Sequence, residues 1–277
     1  MTIGDSIPEA VSLLKSQFVR VYKNKRSLLS EVIPLSYSES LPIRRDVLQS
    51  LHKFVLANSI YVSSQDARIS GTPCRIYEGD INNYWLSSKK YDTSYQPFYP
   101  TWMLSAFTLA LEAKSYGFDQ LIDIGSGDGR IAYCASLLGM DSYGIEIDYD
   151  LVALQKAILS STSVTFNAIR ADATRFDYGS LDLSKPIFFI SGLPEMGEML
   201  ANSVIRQVLT VDRIKHNAGF NFMGSHVMKP LTRDRTNWGW GNVIASFDLE
   251  LIRTISLPTL WTTDQVLDTA YVYTRAR

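Results

Sequence analysis

Asp123, Gly125, Gly127 and Gly129 fall within one run, LIDIGSGDGRI, and a second acid, Glu146, stands near the end of the next apolar run, YGIEID. An apolar stretch leading into alternating glycines reads as a strand that turns sharply into a helix. Gly125 lets the chain leave the strand, Gly127 leaves space for a ligand beside bare backbone, and Gly129 allows close packing where the helix starts. Two common ligand classes fit this loop poorly. A P-loop is excluded because no Gly-Lys-Ser/Thr follows. A dinucleotide fingerprint is spaced G-x-G-x-x-G, whereas these glycines alternate and Arg130 takes the final place. Asp123 lies two residues before the first glycine, on the strand that points at the ligand. A carboxylate there repels a pyrophosphate and attracts an ammonium group, so the ligand is expected to carry positive charge near the loop.

Glu146 fits the same ligand. At the end of the second strand a carboxylate can accept two hydrogen bonds from a ribose. An ammonium group, a sulfonium and a ribose with free hydroxyls occur together in S-adenosylmethionine. Asp172, in IRADATRFD after the third strand, could accept from an adenine amino group, with a backbone donor at Ala173 for the ring; it could equally cap a turn. Asp148 reads as the cap of the helix behind it.

The elements that must carry these residues are legible in the apolar pattern. Residues 101–115 read as a helix that Gly117 can end, LIDI as a strand, and 130–139 as a helix closed by Gly139. Strands are expected at 142–147, 164–169, 186–192 and 220–227, with helices over 148–161 and 194–209 between them. IASFDLELIRTISL and LDTAYVYTRA are expected to form a closing antiparallel pair. Short apolar strands alternating with helices predict an α/β fold with a doubly wound, mostly parallel sheet and ligands at the C-terminal strand ends.

Upstream, IPEAVSLLKSQFVRVY and LPIRRDVLQSLHKFVLA have helical spacing, with Ser40 as a possible N-cap of the second. Residues 58–97, rich in Ser, Gly, Asn and Tyr, are expected to hold turns or a small hairpin. The chain therefore divides near residue 95, into a mainly helical N-terminal extension over 1–94 and a larger unit over 95–277. A segment the size of the extension is marginal alone and is expected to pack on the larger unit.

Composition bounds the rest. The chain has 277 residues, 46% hydrophobic and 20% charged, with formal charge −1. Lys and Arg slightly outnumber acids in the extension and the reverse holds after it, so neither part has the charge of a dedicated nucleic-acid surface. No apolar run reaches the roughly 20 residues that span a bilayer, and no signal peptide is apparent; a cytoplasmic location is the expectation. Cys74 and Cys134 are too few for a disulfide framework or a cysteine zinc site, and His52, His216 and His226 lack metal-ligand spacing, so no metal is expected.

LIDIGSGDGRI followed by YGIEID resembles the nucleotide-binding half of class I (seven-strand) S-adenosylmethionine-dependent methyltransferases. It is most similar to small archaeal protein-lysine methyltransferases related to the non-SET histone-lysine enzymes. FYPTWML, MGEML and GSHV look like that family's Y-x-P-T segment, its N-E-M-L helix start and its fifth-strand serine-histidine pair. The likeness covers residues 95–277 and implies a seven-stranded Rossmann-like domain. Asp123 and the loop Gly125, Ser126, Gly127, Asp128 and Gly129 would hold the methionyl end, Glu146 with Ile147 the ribose, and Asp172 with Ala173 the adenine. Tyr99, Pro100 and Thr101 would lie over the cofactor and form the acceptor entry. Ser191 to Glu195 would border the transferred methyl, which makes Tyr99, Ser191 and Glu195 the candidate catalytic residues.

Other amino-directed methyltransferases carry [DNS]-P-P-[YF] where this chain has SGLPE. That counts against N6-adenine or glutamine and leaves an amine, a protein lysine side chain foremost, as the expected acceptor. Tyr95, Phe98, Tyr99, Trp102, Trp238 and Trp240 could line the entry, the last two because TNWGWGN reads as a polar loop; His226 reads more readily as a satisfied histidine than as a general base. Two alternatives stay open. One is a methyltransferase for RNA, which KNKR and the arginine pair at 44–45 would permit, or for a small molecule. The other is a non-catalytic cofactor-binding scaffold. The extension would serve acceptor recognition in a methyltransferase and docking in the scaffold.

Overall fold

A computed structural model describes residues 3–22, 29–80, 98–190, 194–224, 240–258 and 268–277. Its larger sheet has seven strands: β4 (Gln120–Ile124), β5 (Asp141–Glu146), β6 (Asn167–Arg170), β7 (Pro186–Ile190), β8 (Gly219–Gly224), β9 (Glu250–Pro258) and β10 (Asp268–Arg275). Their spatial order is β6-β5-β4-β7-β8-β10-β9. All neighbours are parallel except β10, which runs antiparallel to both β8 and β9. The order reverses at β4 and β7, so the crevice beyond their C-terminal ends is where this topology places a ligand.

Both faces of the sheet are covered, which is why β4 and β7 are buried at every position. Leu121, Ile187, Phe189 and Tyr273 point into one apolar cluster, and Ile122, Phe188, Phe220 and Val272 into the other. The helices are α1 (Ile3–Val21), α2 (Arg45–Ala57), α3 (Met103–Ser115), α4 (Arg130–Leu137), α5 (Tyr149–Ser161), α6 (Pro194–Leu209) and α7 (Trp240–Ser246). The expected stops hold. Gly117 (φ +87°) and Gly139 (φ +73°) adopt the left-handed conformation after α3 and α4. In each case the glycine N–H and the next N–H return to carbonyls of the last turn, Gly139 to Ser136 at 2.9 Å and Met140 to Ala135 at 3.1 Å. Asp148 caps α5, accepting from Asp150 N at 2.8 Å.

The N-terminal extension is not mainly helical. Besides α1 and α2 it holds a three-stranded antiparallel sheet, β1 (Leu29–Pro34), β2 (Tyr61–Ile69) and β3 (Thr72–Gly79), in the order β1-β3-β2. β2 and β3 form the expected hairpin, with Ser70 and Gly71 both at positive φ in its two-residue connection. β1 is an addition, buried along its whole length. Ser40 does not cap α2. Its hydroxyl pairs with that of Ser38, and a tight turn from Ile43 N to Leu41 O delays the helix to Arg45. One apolar cluster runs from Val11, Phe18 and Leu51 to Met103, Leu109 and Tyr133, so the extension packs on the larger unit as expected. The closing pair also holds, but IAS belongs to α7 and the strand begins at Glu250.

Candidate functional site

The strand β4 delivers Asp123 and ends at Ile124, and the next five residues form the loop. Gly125, Gly127 and Gly129 all have positive φ (+70°, +56° and +81°), a conformation that favours glycine. Their surroundings differ. A Cβ on Gly125 would meet nothing within 4 Å, whereas one on Gly127 would strike the Phe98 ring at 2.4 Å and one on Gly129 the Phe166 ring at 2.4 Å. Close packing at Gly129 matches the sequence reading. The bare backbone that faces open space belongs to Gly125, not Gly127, because Phe98 covers the latter.

The loop is pinned from β5. Gly125 N and Ser126 N donate to Ile145 O at 2.9 and 3.1 Å, and Gly127 N donates to Glu146 Oε2 at 2.9 Å. Gln155 of α5 donates to Ser126 Oγ at 2.9 Å and to Gly127 O at 2.8 Å. Ser126 is buried in that contact. Glu146 Oε1 accepts from Ile147 N and Asp148 N at 2.8 and 2.9 Å. Three backbone donors thus occupy Glu146, and of the roughly four lone-pair positions of a carboxylate about one is left, on Oε2. Burial pushes its pKa up, against the pull of those donors.

Asp123 is 1% exposed, and its Oδ1 has no hydrogen-bond partner among the described residues. Burial, then the charges of Glu146 and Asp128, raise its pKa well above the usual carboxylate range. A buried carboxylate oxygen without a donor is costly unless something cationic or donating meets it.

Asp128 faces the other way. Its carboxylate takes Arg130 Nε at 2.9 Å and Asn58 Nδ2 at 2.8 Å. Arg130 in turn reaches Glu31 Oε1 at 2.7 Å, Tyr61 OH at 3.2 Å and Thr101 O. Asp128 therefore works behind the loop, where the sequence reading had placed it on the ligand.

Asp172 holds a turn, its Oδ1 accepting from Thr174 N at 2.9 Å and Thr174 Oγ1 at 2.6 Å, with Arg175 at 3.8 Å from Oδ2. Ala173 is buried beside it, its carbonyl taking the Tyr178 hydroxyl at 2.9 Å. Tyr99 is 42% exposed ahead of buried Pro100, and Thr101 is half-buried. Glu195 falls in the first turn of α6, but its side chain lies outside the described residues. Ser191, Tyr95, His226, Trp238 and the KNKR run also lie outside them. Trp102 and Trp240 are core residues instead of entry-lining ones. Trp102 is fully buried, and Trp240 stacks on Phe222 at 4.8 Å and donates to Met223 O at 2.7 Å.

Glu31, Asn58, Tyr61 and Gln155 were missed from sequence. The one available signal was Glu31 itself, a lone charge inside the apolar run LLSEVIPL. His52 is satisfied by Tyr77 and Pro34, and His216 approaches the Arg277 carbonyl. Among the described residues no cluster could hold a metal ion, and no helix is long and apolar enough to cross a membrane.

The chain matches no protein-family model and no curated protein sequence. Solved structures that resemble it include the tRNA (uracil-54, C5)-methyltransferase of Pyrococcus abyssi in complex with S-adenosyl-L-homocysteine. It is 10% identical, with 97% of this chain and 83% of that one covered, at a TM-score of 0.48. Magnesium protoporphyrin IX methyltransferase from Synechocystis is 12% identical over 63% and 83% of the two chains, with a TM-score of 0.43. A TehB-like S-adenosylmethionine-dependent methyltransferase from Corynebacterium glutamicum is 14% identical over 62% and 88%, with a TM-score of 0.39.

Proposed function

We propose that the chain is an S-adenosylmethionine-dependent methyltransferase acting on an amine, with a protein lysine side chain as the preferred acceptor. The observation that carries the reading is Asp123: a buried carboxylate with one oxygen unpartnered among the described residues, at the strand end beside the open face of Gly125. Its chemistry suits a ligand with an ammonium group. The spare lone pair of Glu146 suits one hydroxyl donor next to that group, and Asp172, turned by Thr174 on Oδ1, leaves Oδ2, with exposed Arg175 3.8 Å away, for a further donor.

When bound, the cofactor supplies an electrophilic methyl on a sulfonium. Asp123 would hold the amino end, Gly125 would let the ligand approach the backbone, and Glu146 would hold a ribose hydroxyl while fixing Gly127. Methyl transfer of this kind is an in-line displacement that disperses charge, so positioning and exclusion of water are the protein's main tasks. A lysine acceptor titrates near 10.4 in water and must lose a proton before it reacts. Tyr99, exposed at the start of the segment that leads to Thr101, is our choice for the acceptor side, and Ser191 and Glu195 remain candidates through the family resemblance alone. Desolvation at such an entry lowers an amine pKa, while a carboxylate there guides the amine in.

The test is calorimetric titration of the full chain with S-adenosylmethionine and S-adenosylhomocysteine, repeated on Asp123→Ala and Glu146→Ala. Micromolar binding by the parent that both variants lose supports the cofactor. Labelled-methyl transfer to a lysine-rich protein, compared with RNA, then tests the acceptor. No binding by folded parent protein would refute the whole reading, and label entering RNA alone would refute the lysine.

A further inference from the structure

The back of the ligand loop is held by the N-terminal unit. Three separate elements of that unit converge on one ion pair. Glu31 comes from the middle of β1, Asn58 ends α2, and Tyr61 starts β2. Glu31 Oε1 takes Arg130 Nη1 at 2.7 Å and the Tyr61 hydroxyl at 3.0 Å, and Asn58 Nδ2 donates to Asp128 Oδ2 at 2.8 Å. The second oxygen of Glu31 accepts Met103 N at 2.9 Å, at the start of α3. Glu31, Asn58, Asp128 and Arg130 are all at most 2% exposed.

These contacts bear on the ligand face through the backbone. Asp128 sits between Gly127 and Gly129, the two glycines clamped under the Phe98 and Phe166 rings. Gly127 N in turn holds Glu146. A displaced Asp128 therefore moves the N–H that orients the Glu146 carboxylate. A buried ion pair behaves as a rigid joint while intact, and removing one partner leaves a charge without compensation.

We propose that Glu31 is a positioning residue for the cofactor loop: it fixes Arg130 from the N-terminal unit and, with Asn58 on Asp128, couples docking of residues 29–80 to ligand binding at Gly125–Gly129. The proposal rests on the cofactor reading above. Coupling of this kind is reciprocal, so the ligand must also tighten the N-terminal unit.

The experiment uses the full chain and S-adenosylhomocysteine as the probe. Glu31→Gln keeps the shape and removes the charge, and its affinity is expected to fall about tenfold, the consequence of roughly one lost charge-assisted contact. Tyr61→Phe leaves both charged contacts and should fall no more than about threefold. Arg75→Gln breaks the exposed Arg75–Asp66 pair on the same small sheet without touching the network, and it should bind like the parent. Amide hydrogen exchange supplies the readout that a merely structural role would not move. In the parent, the probe slows exchange in β1 and β2; in Glu31→Gln at saturating probe, the slowing is confined to the loop.

Unchanged affinity in folded Glu31→Gln overturns the proposal. If Glu31→Gln does not fold, the parent decides: exchange in β1 and β2 that ignores saturating probe overturns it, and slowing there supports it. A parent that fails to bind at all refutes the cofactor reading and this coupling together, whereas a binding parent with an unaffected Glu31→Gln refutes the coupling alone.

Discussion

Lys15 offers the most direct test of how this protein handles buried charge. It lies on α1, 3% exposed, with its Nζ 5.2 Å from the ring centre of Trp102 and 5.6 Å from that of Phe18. No hydrogen bond to Nζ occurs among the described residues. Burial lowers its pKa from an ordinary 10.5 to about 8, and the attraction of Glu31 offsets only part of that. At about 1.4 kcal/mol per pKa unit, the folded state disfavours the ammonium by about 3 kcal/mol, with the Glu31 attraction already included. Because the folded pKa is the depressed one, this penalty is full below about pH 8 and fades as the pH rises from there towards 10.5. Lys15→Met keeps the unbranched apolar stem without the charge. We expect it to stabilise the protein at neutral pH by up to about 3 kcal/mol, roughly 6 °C in Tm for a chain of this size. The assay is urea unfolding of parent and variant between about pH 7 and about pH 9.5, where the gap between them should narrow as the parent loses its proton. Two parallel curves, or a destabilised variant with the parent's pH slope, would refute the reasoning and place a compensating group on Nζ.

The remaining predictions concern the site. Affinity for S-adenosylhomocysteine should tighten as pH rises through the raised pKa of Asp123, because the ligand's ammonium group needs the ionised carboxylate; the trend should vanish in Asp123→Asn, as followed by calorimetry at several pH values. Gly127→Ala combines a positive φ with a Cβ 2.4 Å from the Phe98 ring, so we expect at least about 2 kcal/mol lost in thermal unfolding and a larger fractional loss of ligand affinity. Gly125→Ala is the contrast. It carries the backbone strain without the clash, and its stability loss should be smaller, about 1 kcal/mol, while its bound-ligand stabilisation falls because the methyl enters the open face. Asp148→Ala removes the cap of α5 and should cost about 1 kcal/mol in the same assay with little change in affinity.

The parts of the fold readable from sequence are those whose cause is local. Gly117 and Gly139 stop helices because the residue after a helix often needs a left-handed backbone, and Asp148 caps α5 through its own neighbours. Glycine positions within the loop were readable, but their partners were not. Whether Gly127 faces a ligand or the Phe98 ring depends on a residue 29 positions away in the chain, so the open face was assigned to the wrong glycine. Trp240 was misjudged for the same reason. Its glycine-rich surroundings look like a loop, but Phe222 and the Met223 carbonyl give the indole a buried seat. β1 was overlooked because a six-residue strand carrying a serine and a glutamate shows no clean period, and only Arg130, far along the chain, explains why Glu31 can be buried there.

Charge accounting around the loop then argues for the sign of the ligand. Arg130 directly follows the last of the glycines, and on sequence alone it could have served an anionic ligand. Its guanidinium is instead spent on Asp128 and Glu31, with 3% of its side chain exposed, and Lys15 adds its field on the Glu31 side. Two cations thus stand against two carboxylates behind the loop, and that set is close to neutral. In front of it, among the described residues, no cation partners Asp123 or Glu146; backbone donors hold Glu146, and one oxygen of Asp123 has no hydrogen-bond partner. Burial raises the pKa of both acids, and for Asp123 the charges of Glu146 and Asp128 add to it. A phosphate placed there would face two acids with the Arg130 guanidinium already engaged, at a cost that grows as the site is desolvated. An ammonium or sulfonium group would relieve the same acids. If Glu31 were neutral, Arg130 would lose half of its compensation and the loop would become more hospitable to anions. Glu31→Gln should therefore bind inorganic phosphate more readily than the parent while binding S-adenosylhomocysteine less well. Calorimetry with both ligands checks this, and a variant that weakens for S-adenosylhomocysteine with no gain for phosphate would show that Glu31 acts on the shape of the loop and not on its charge.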